Sequence, residues 1–288
     1  MKIPEKLKIR LQNIGLNEDV YDTRARKCIL SRENMNLERV PWYKHAYFIG
    51  DDFRNKKDSF VFDPVSIVPC IALNPEKNDK ILDMCAAPGT KTFIISFFTN
   101  NEAHIISNDI DRNRVKRLVY NVNKFNISSE VTNISGRTIE GYFDKILLDA
   151  TCSGEGMINK KEKLFKTWNE KRIKFLSKKQ KKLILHAFDI LEENGTLVYS
   201  TCTFEPEENE MVVDFLLNKR DDASIEKIDV DINHVSGITN YNDHKLSPSL
   251  ASCVRIYPQH NNTGGFFVAK IRKTKSYLSN KPLSENGL

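Results

Sequence analysis

The chain has 288 residues, enough for one large α/β domain with a small appendage. An apolar content of 40% excludes a disordered chain, and 44 basic against 38 acidic residues leave a formal charge of +6 that favours a polyanionic partner. The six cysteines include no Cys-x-x-Cys pair and resemble no disulfide framework, so they read as reduced thiols of a cytosol-like compartment. No segment has the length of a membrane span, and the charged start Met1-Lys2-Ile3-Pro4-Glu5 lacks the apolar core of a signal peptide.

In chain order, residues 1–55 are expected to form a small N-terminal α+β unit. Residues 6–16 and 20–30 read as short amphipathic helices, 41–43 as a turn and 47–50 as a strand. The charged stretch 51–59 marks a boundary. A main domain is expected over 56–273, and from Phe60 onward strand and helix patterns alternate. Strands are predicted at 80–85, 104–109, 130–135, 143–150 and 195–202, and helices at 65–73, 91–98, 112–125, 165–192 and 207–217. Such alternation implies βαβ units with right-handed crossovers and a parallel sheet. Two later runs, 253–257 and 266–272, have no helix between them and fit an antiparallel pair at a sheet edge. Residues 218–250 are polar and carry no assignment, and 274–288 read as a frayed polar tail.

Four predicted strands end in loops suited to chemistry. The first leads through Asp83-Met84-Cys85 into Ala86-Ala87-Pro88-Gly89-Thr90-Lys91. Its small residues let a ligand approach the backbone, and the following helix offers its N-terminal amides. The pattern is not Gly-x-Gly-x-x-Gly, which argues against a dinucleotide. The next strand ends at Asn108-Asp109-Ile110-Asp111, where an acid suits ribose hydroxyls. An ordinary tight turn with a capping Asp is the plain alternative.

Cys152 lies in Leu147-Leu148-Asp149-Ala150-Thr151-Cys152-Ser153-Gly154-Glu155-Gly156, and Cys202 in Leu197-Val198-Tyr199-Ser200-Thr201-Cys202-Thr203. Each follows an apolar run of strand length, at the end where parallel sheets open onto a ligand crevice. A nucleotide-type site beside two thiols suggests covalent catalysis on a nucleobase. The plain reading of a lone strand-end cysteine is a small buried apolar residue, and Cys28, Cys70 and Cys253 are read that way. Residues 159–182 combine eleven Lys and Arg with Phe165, Trp168 and Phe175. They could hold RNA phosphates or form a solvated helix face. Arg24, Arg26, Lys27, Arg32 and Arg39 make a second basic patch.

Taken together, these motifs resemble the Sun-domain (NSUN) family of RNA cytosine-5 methyltransferases over residues 60–273. To the four loops above the resemblance adds Phe204-Glu205-Pro206-Glu207-Glu208-Asn209-Glu210 and Gly264-Gly265-Phe266-Phe267-Val268-Ala269-Lys270. It implies an α/β fold with a seven-stranded Rossmann-like methyltransferase sheet, mostly parallel with an antiparallel edge strand. It also implies S-adenosyl-L-methionine as cofactor, RNA as partner and no metal. Residue by residue, Cys202 corresponds to the nucleophile, Cys152 to the thiol that assists product release, and Asp149 to the carboxylate that orients the base and borders the cofactor. Cys85, Ala86, Ala87, Pro88, Gly89, Thr90 and Lys91 correspond to cofactor contacts and Asp109 to the ribose ligand.

Two positions depart from the family pattern. Thr151 stands where Pro is usual, which removes a fixed φ before Cys152. Ser135 stands near where an acid usually holds adenine, so weaker cofactor binding is expected. So compact a chain points to tRNA, with rRNA as the alternative. Residues 1–55 and the basic surface would select the substrate. A cytoplasmic monomer without membrane attachment is expected, with a nuclear or nucleolar site left open for a eukaryotic source. The rivals are a DNA cytosine-5 methyltransferase, which would not need the second thiol motif, and a catalytically weak RNA-binding paralogue.

The chemistry explains the residue types. C5 of cytosine is too weak a nucleophile to take a methyl group from a sulfonium directly. A thiolate adding at C6 makes C5 nucleophilic, and cysteine suits this because its pKa is tunable. A general acid or base is then needed to remove the C5 proton and expel the thiolate.

Overall fold

A computed structural model describes residues 3–53 and 59–274. The stretch predicted as a boundary lies largely outside these residues, as does nearly all of the predicted tail. Helix α1 (Glu5–Asn13) buries Leu7 and Leu11, which at about 1.5–3 kcal/mol each anchor it to the body. The expected second helix is absent. A single 3-10 turn (Glu18–Tyr21), capped by Asn17, is followed by strand β1 (Lys27–Leu30), which pairs antiparallel with β2 (Ala46–Ile49). The apolar residues at 20, 21, 28 and 29 fit a helical stripe, but pairing with β2 decides their conformation.

The main body follows as α2 (Ile67–Leu73), β3 (Lys80–Asp83), α3 (Thr90–Phe98), β4 (His104–Asn108), α4 (Arg112–Lys124), β5 (Ser129–Thr132) and β6 (Phe143–Asp149). Then come α5 (Lys161–Thr167), α6 (Glu170–Asp189), β7 (Leu191–Thr201), α7 (Glu210–Leu217) and β8 (Ala223–Glu226). The one long helix expected over 165–192 is divided at Trp168, which is extended, and Asn169, whose side chain accepts from Arg172 N at 2.9 Å and starts α6.

The last part holds β9 (Val235–Ser236), the hairpin β10 (Asn240–Tyr241) and β11 (His244–Lys245), β12 (Val254–Ile256), a short α8 (Pro258–Asn261) and β13 (Phe266–Lys273). The α/β class is as expected. The main sheet has nine strands rather than seven, in the order β5-β4-β3-β6-β7-β13-β12-β9, with β8 also on β13. Strands β5, β4, β3, β6 and β7 are parallel. Antiparallel β13 is not at the edge: β7 lies on one side, and β12 and β8 divide its other side. Phe267, Ala269 and Ile271 on one face and Val268 on the other are fully buried, as befits an interior strand.

Two apolar layers sandwich the sheet. One joins α2 and α3 to Cys28, Val40, Trp42 and Phe48 of the N-terminal segment. The other packs Ile184, Ala187 and Phe188 of α6 on Leu82, Ile146 and Leu197. A third cluster sets Leu7, Leu11 and Val20 against Ile158, Leu164, Phe204 and Tyr257. The N-terminal segment thus shares its core with the sheet and with the segments that follow the two cysteine loops. Among the described residues no helix is long and apolar enough to cross a membrane.

Candidate active site

The chain runs from β3 outward to β4 and β5, then returns to place β6 beside β3. This reversal opens a crevice at the strand ends between β3 and β6, the usual ligand site of such sheets. The loop after β3 lines one side. Gly89 has φ +104°, a conformation that favours glycine, and a Cβ there would crowd Leu118 Cδ1 at 3.0 Å. Asp109, at the end of β4, is buried; its carboxylate accepts from Ala87 N at 3.3 Å and Asp111 N at 2.9 Å. Ser135 caps a short turn, its hydroxyl accepting from Arg137 N at 3.4 Å. The following Gly136 packs closely on Met84 of the loop.

Lys91, on the first turn of α3, is buried and reaches Asp149 at 2.7 Å. Burial works against its charge, but Asp149 outweighs burial and holds the ammonium protonated. The other Asp149 oxygen accepts from Ser200 Oγ at 2.9 Å. That contact follows from register: in the parallel β6–β7 pair, Asp149 lies opposite Ser200. Cys152 comes three residues after Asp149 and Cys202 two after Ser200, so both loops leave the sheet at one level. Their sulfurs lie 3.3 Å apart. The contact with Cys202, together with burial, pushes the Cys152 thiol well above its ordinary value.

A buried polar lattice holds these loops. Ser153 Oγ and Thr203 Oγ1, each directly after a cysteine, lie 3.0 Å apart, and both donate to Glu155 Oε2. Trp168 Nε1 donates to the other Glu155 oxygen at 2.8 Å. Glu208 accepts from Ser153 N at 3.2 Å and from Gln180 Nε2 at 2.8 Å, and it also meets Ser153 Oγ, whose single proton can serve only one of the two carboxylates. Burial pushes Glu155 and Glu208 up to about 7 and Glu205 to about 8. Arg10 of α1 reaches Glu205 at 2.5 Å and Glu207 at 2.6 Å. Behind the Cys152 loop, Gly156 N donates to Cys202 O and Gly265 N to Gly156 O, both at 2.9 Å. A Cβ on Gly156 would lie 2.3 Å from Gly265 O, so only glycine permits this approach.

The crevice thus gathers Lys91, Asp109, Asp149, Cys152 and Cys202, with Ser135 at its margin. It also contains residues that the motif reading missed. Arg114 pairs with Asp109 at 3.1 Å, donates to Ala87 O and reaches Thr151 Oγ1 at 3.4 Å. Its signal was a cation on the first turn of α4, just after the Asp111 cap. Asp83, the last residue of β3, is fully buried; Oδ2 accepts from Thr92 at 2.7 Å, while Oδ1 has no hydrogen-bond partner among the described residues. Thr151 is tied at two points, by Arg114 and by Gln180 Nε2, which donates to its carbonyl at 3.0 Å.

A family model described as 16S rRNA methyltransferase RsmB/F matches residues 70–272. The chain is 38% identical over 259 residues to the tRNA (cytosine(49)-C(5))-methyltransferase of Pyrococcus abyssi, covering 85% of this chain and 83% of that protein. It is 36% identical over 230 residues to the human 28S rRNA (cytosine(4447)-C(5))-methyltransferase, covering 77% of this chain but 28% of that much longer protein. Among solved structures, NSun6 from Pyrococcus horikoshii with SFG superposes with a TM-score of 0.66 at 30% identity, over 79% of this chain and 57% of that one. By the extent of these matches the chain belongs to the RsmB/F family of RNA cytosine-C5 methyltransferases.

Proposed function

We propose that this protein is an S-adenosylmethionine-dependent RNA cytosine-5 methyltransferase with Cys202 as nucleophile. The observation that carries the reading is the 3.3 Å sulfur pair at the ends of β6 and β7, beside an Asp149 held by both Lys91 and Ser200. The Cys202 thiolate adds to C6 of the target cytosine, forming an S–C6 bond and moving the ring's electron pair toward C5. Asp149 lies within reach of such a ring, where a carboxylate can bind N3 and the exocyclic amine. Bound S-adenosylmethionine would supply the methyl group to C5. The C5 proton then leaves, the S–C6 bond breaks and the 5,6 double bond returns. Cys152, whose sulfur lies 3.3 Å from that of Cys202, is placed to take the C5 proton as a thiolate once the Cys202 sulfur is bonded to C6, while Cys202 departs as thiolate.

The crevice fits that cofactor. Asp109 and Arg114 border a ribose position, and the small residues from Cys85 to Thr90 leave room along the backbone. The unpartnered Asp83 Oδ1 calls for a donor, and a methionine ammonium is one. The relative solved with SFG, an S-adenosylmethionine analogue, supports the same assignment. Ser135 spends its hydroxyl on a turn cap and would contribute little to adenine binding. For the substrate, we favour tRNA, because the similarity to the archaeal tRNA enzyme runs through most of both chains. The family description and the human relative keep rRNA as the second reading. Residues 1–55 would contribute to RNA contact.

The deciding experiment compares two variants on RNA. Cys202→Ala should abolish methyl transfer and form no covalent adduct. Cys152→Ala should attack and then stall, leaving methylated RNA attached as a denaturant-resistant gel shift. Adducts in Cys202→Ala alone would exchange the two roles.

A further inference from the structure

The buried side of α6 touches the catalytic loops. Gln180 donates to the carbonyl of Thr151, immediately before Cys152, and Ser177 donates to the Glu207 carbonyl at 2.5 Å. The middle turns of this helix therefore contact the Cys152 loop and the segment after Cys202, and their other side faces outward. Phe175 lies on that outward side, 56% exposed. It is the one aromatic of the basic stretch that faces out. Phe165 packs edge-on against Tyr21 at 5.0 Å, and Trp168 is engaged by Glu155.

The surroundings of Phe175 are strongly basic. Its helical neighbours at i−4, i−3, i+3 and i+4 are Lys171, Arg172, Lys178 and Lys179, all exposed. Lys179 Nζ stands 4.3 Å from the ring centroid. Between Glu170 and Asp189 the helix contains no acid, and Glu170 is taken by Lys6 at 3.1 Å. An ordinary exposed helix face mixes charge signs at these spacings, since like charges there repel. Four cations around one exposed ring instead match a polyanion that also has flat apolar faces. Single-stranded nucleic acid is such a ligand: aromatic side chains stack its bases and cations track its phosphates.

We propose that the outward face of α6 around Phe175 is the track for single-stranded RNA flanking the target nucleotide. One base stacks on Phe175, and the adjoining phosphates lie on Lys171, Arg172, Lys178 and Lys179. This rests on the reading of the protein as an RNA methyltransferase and adds where the strand runs. It also explains a sequence pattern that the catalytic site leaves unused.

The test uses Phe175→Ser, the double variant Lys178→Gln/Lys179→Gln, and Tyr120→Ser as a matched control. Tyr120 is 62% exposed and flanked by Lys116, Arg117 and Lys124 on α4, which likewise contains no acid. It matches Phe175 in chemistry but lies on a helix packed against Ala86 and Ala87 rather than against the segments after the cysteines, so it tests place rather than charge. Binding is measured on the full chain with an unstructured, fluorescently labelled oligoribonucleotide, and methyl transfer with total tRNA and labelled S-adenosylmethionine. Phe175→Ser should weaken oligonucleotide binding roughly tenfold, within the range for loss of one stacked base. Removing two phosphate contacts should lower the slope of log affinity against log salt by about 1.4. Where RNA methylation is observed, KM for RNA should rise in both variants while kcat at saturating RNA holds. Tyr120→Ser should leave binding unchanged.

Binding by Phe175→Ser within about twofold of wild type overturns the track, as does equal weakening by Tyr120→Ser. Methyl transfer with an unchanged KM in the α6 variants removes the track and leaves the enzyme reading standing. Phe175-dependent binding without methyl transfer removes the enzyme reading and leaves the track.

Discussion

Replacing Glu208 by its neutral isostere should change how stability depends on pH. In the folded chain Glu208 is buried among Ser153 and Gln180, and burial lifts its carboxyl from the ordinary 4.5 up to about 7. A raised folded pKa means that the native state keeps a proton which the unfolded chain has already lost. The contribution to stability is full below the unfolded pKa and drains away as pH rises through the folded one. With values of about 4.5 and about 7, the loss is about 1.4 kcal/mol by about pH 5.5 and about 3.4 kcal/mol by about pH 8.5. About 2 kcal/mol therefore separates those two conditions. Glu155 and Glu205 shift in the same direction and steepen the wild-type decline. Urea unfolding at both pH values is the assay. Wild type should be the less stable at the higher pH, and Glu208→Gln should lose about 2 kcal/mol less across the interval. Parallel pH profiles for the two proteins would refute the reasoning, because the lattice would then not hold its proton at Glu208.

Other perturbations probe separate parts of the molecule. Asp109→Ala should weaken S-adenosylmethionine binding by about 1–3 kcal/mol in calorimetry, since it leaves Arg114 and Ala87 N without their partner; unchanged affinity removes Asp109 from the site. Arg255→Met leaves Glu210 buried without the guanidinium that now holds it at 2.5 Å, and should cost about 3–5 kcal/mol in denaturant melts. The double variant Arg255→Met/Glu210→Leu should recover much of that loss, and failure to recover would mean the pair is not the cause. Gly156→Ala must push its Cβ away from the Gly265 carbonyl, so about 1–3 kcal/mol of destabilisation is expected. A melting midpoint equal to wild type would show that the loop has room to move.

What the sequence disclosed, and what it withheld, follows from the range of the forces involved. The apolar runs ending at Asp83, Asp149 and Thr201 mark strand ends by local pattern, so the loops that follow were legible. Parallel pairing then needed only the register of Asp149 with Ser200 to bring Cys152 to Cys202. Arg114 was not legible, because its link to Asp109 and Thr151 joins three segments that no local pattern connects. Nor was the lattice of Glu155 and Glu208, two acids that read as surface residues in a charged chain. Residues 27–30 were misread because a four-residue strand has too little periodicity to overrule a helical stripe. The strands at 223–226 and 235–236 are shorter still as patterns, and exist because β13 and β12 offer them edges.

The interior position of β13 sets a timetable for the molecule. Until Phe266–Lys273 have been added, β7 lacks its antiparallel neighbour, and the Gly156 carbonyl lacks the Gly265 amide that backs the Cys152 loop. A chain made from its N-terminus therefore contains both thiols before the loop of the first is backed. Cys202 and Lys273 are separated by 71 positions (273 − 202), which at about 5–20 residues per second is about 4–14 s of synthesis. During that interval the two sulfurs belong to an open sheet edge, and the Cys152 loop lacks the backbone support that fixes it beside Cys202. The last strand thus acts as the step at which the nascent chain acquires its site, and a chain halted short of it would carry both motifs without the pocket that gives them meaning.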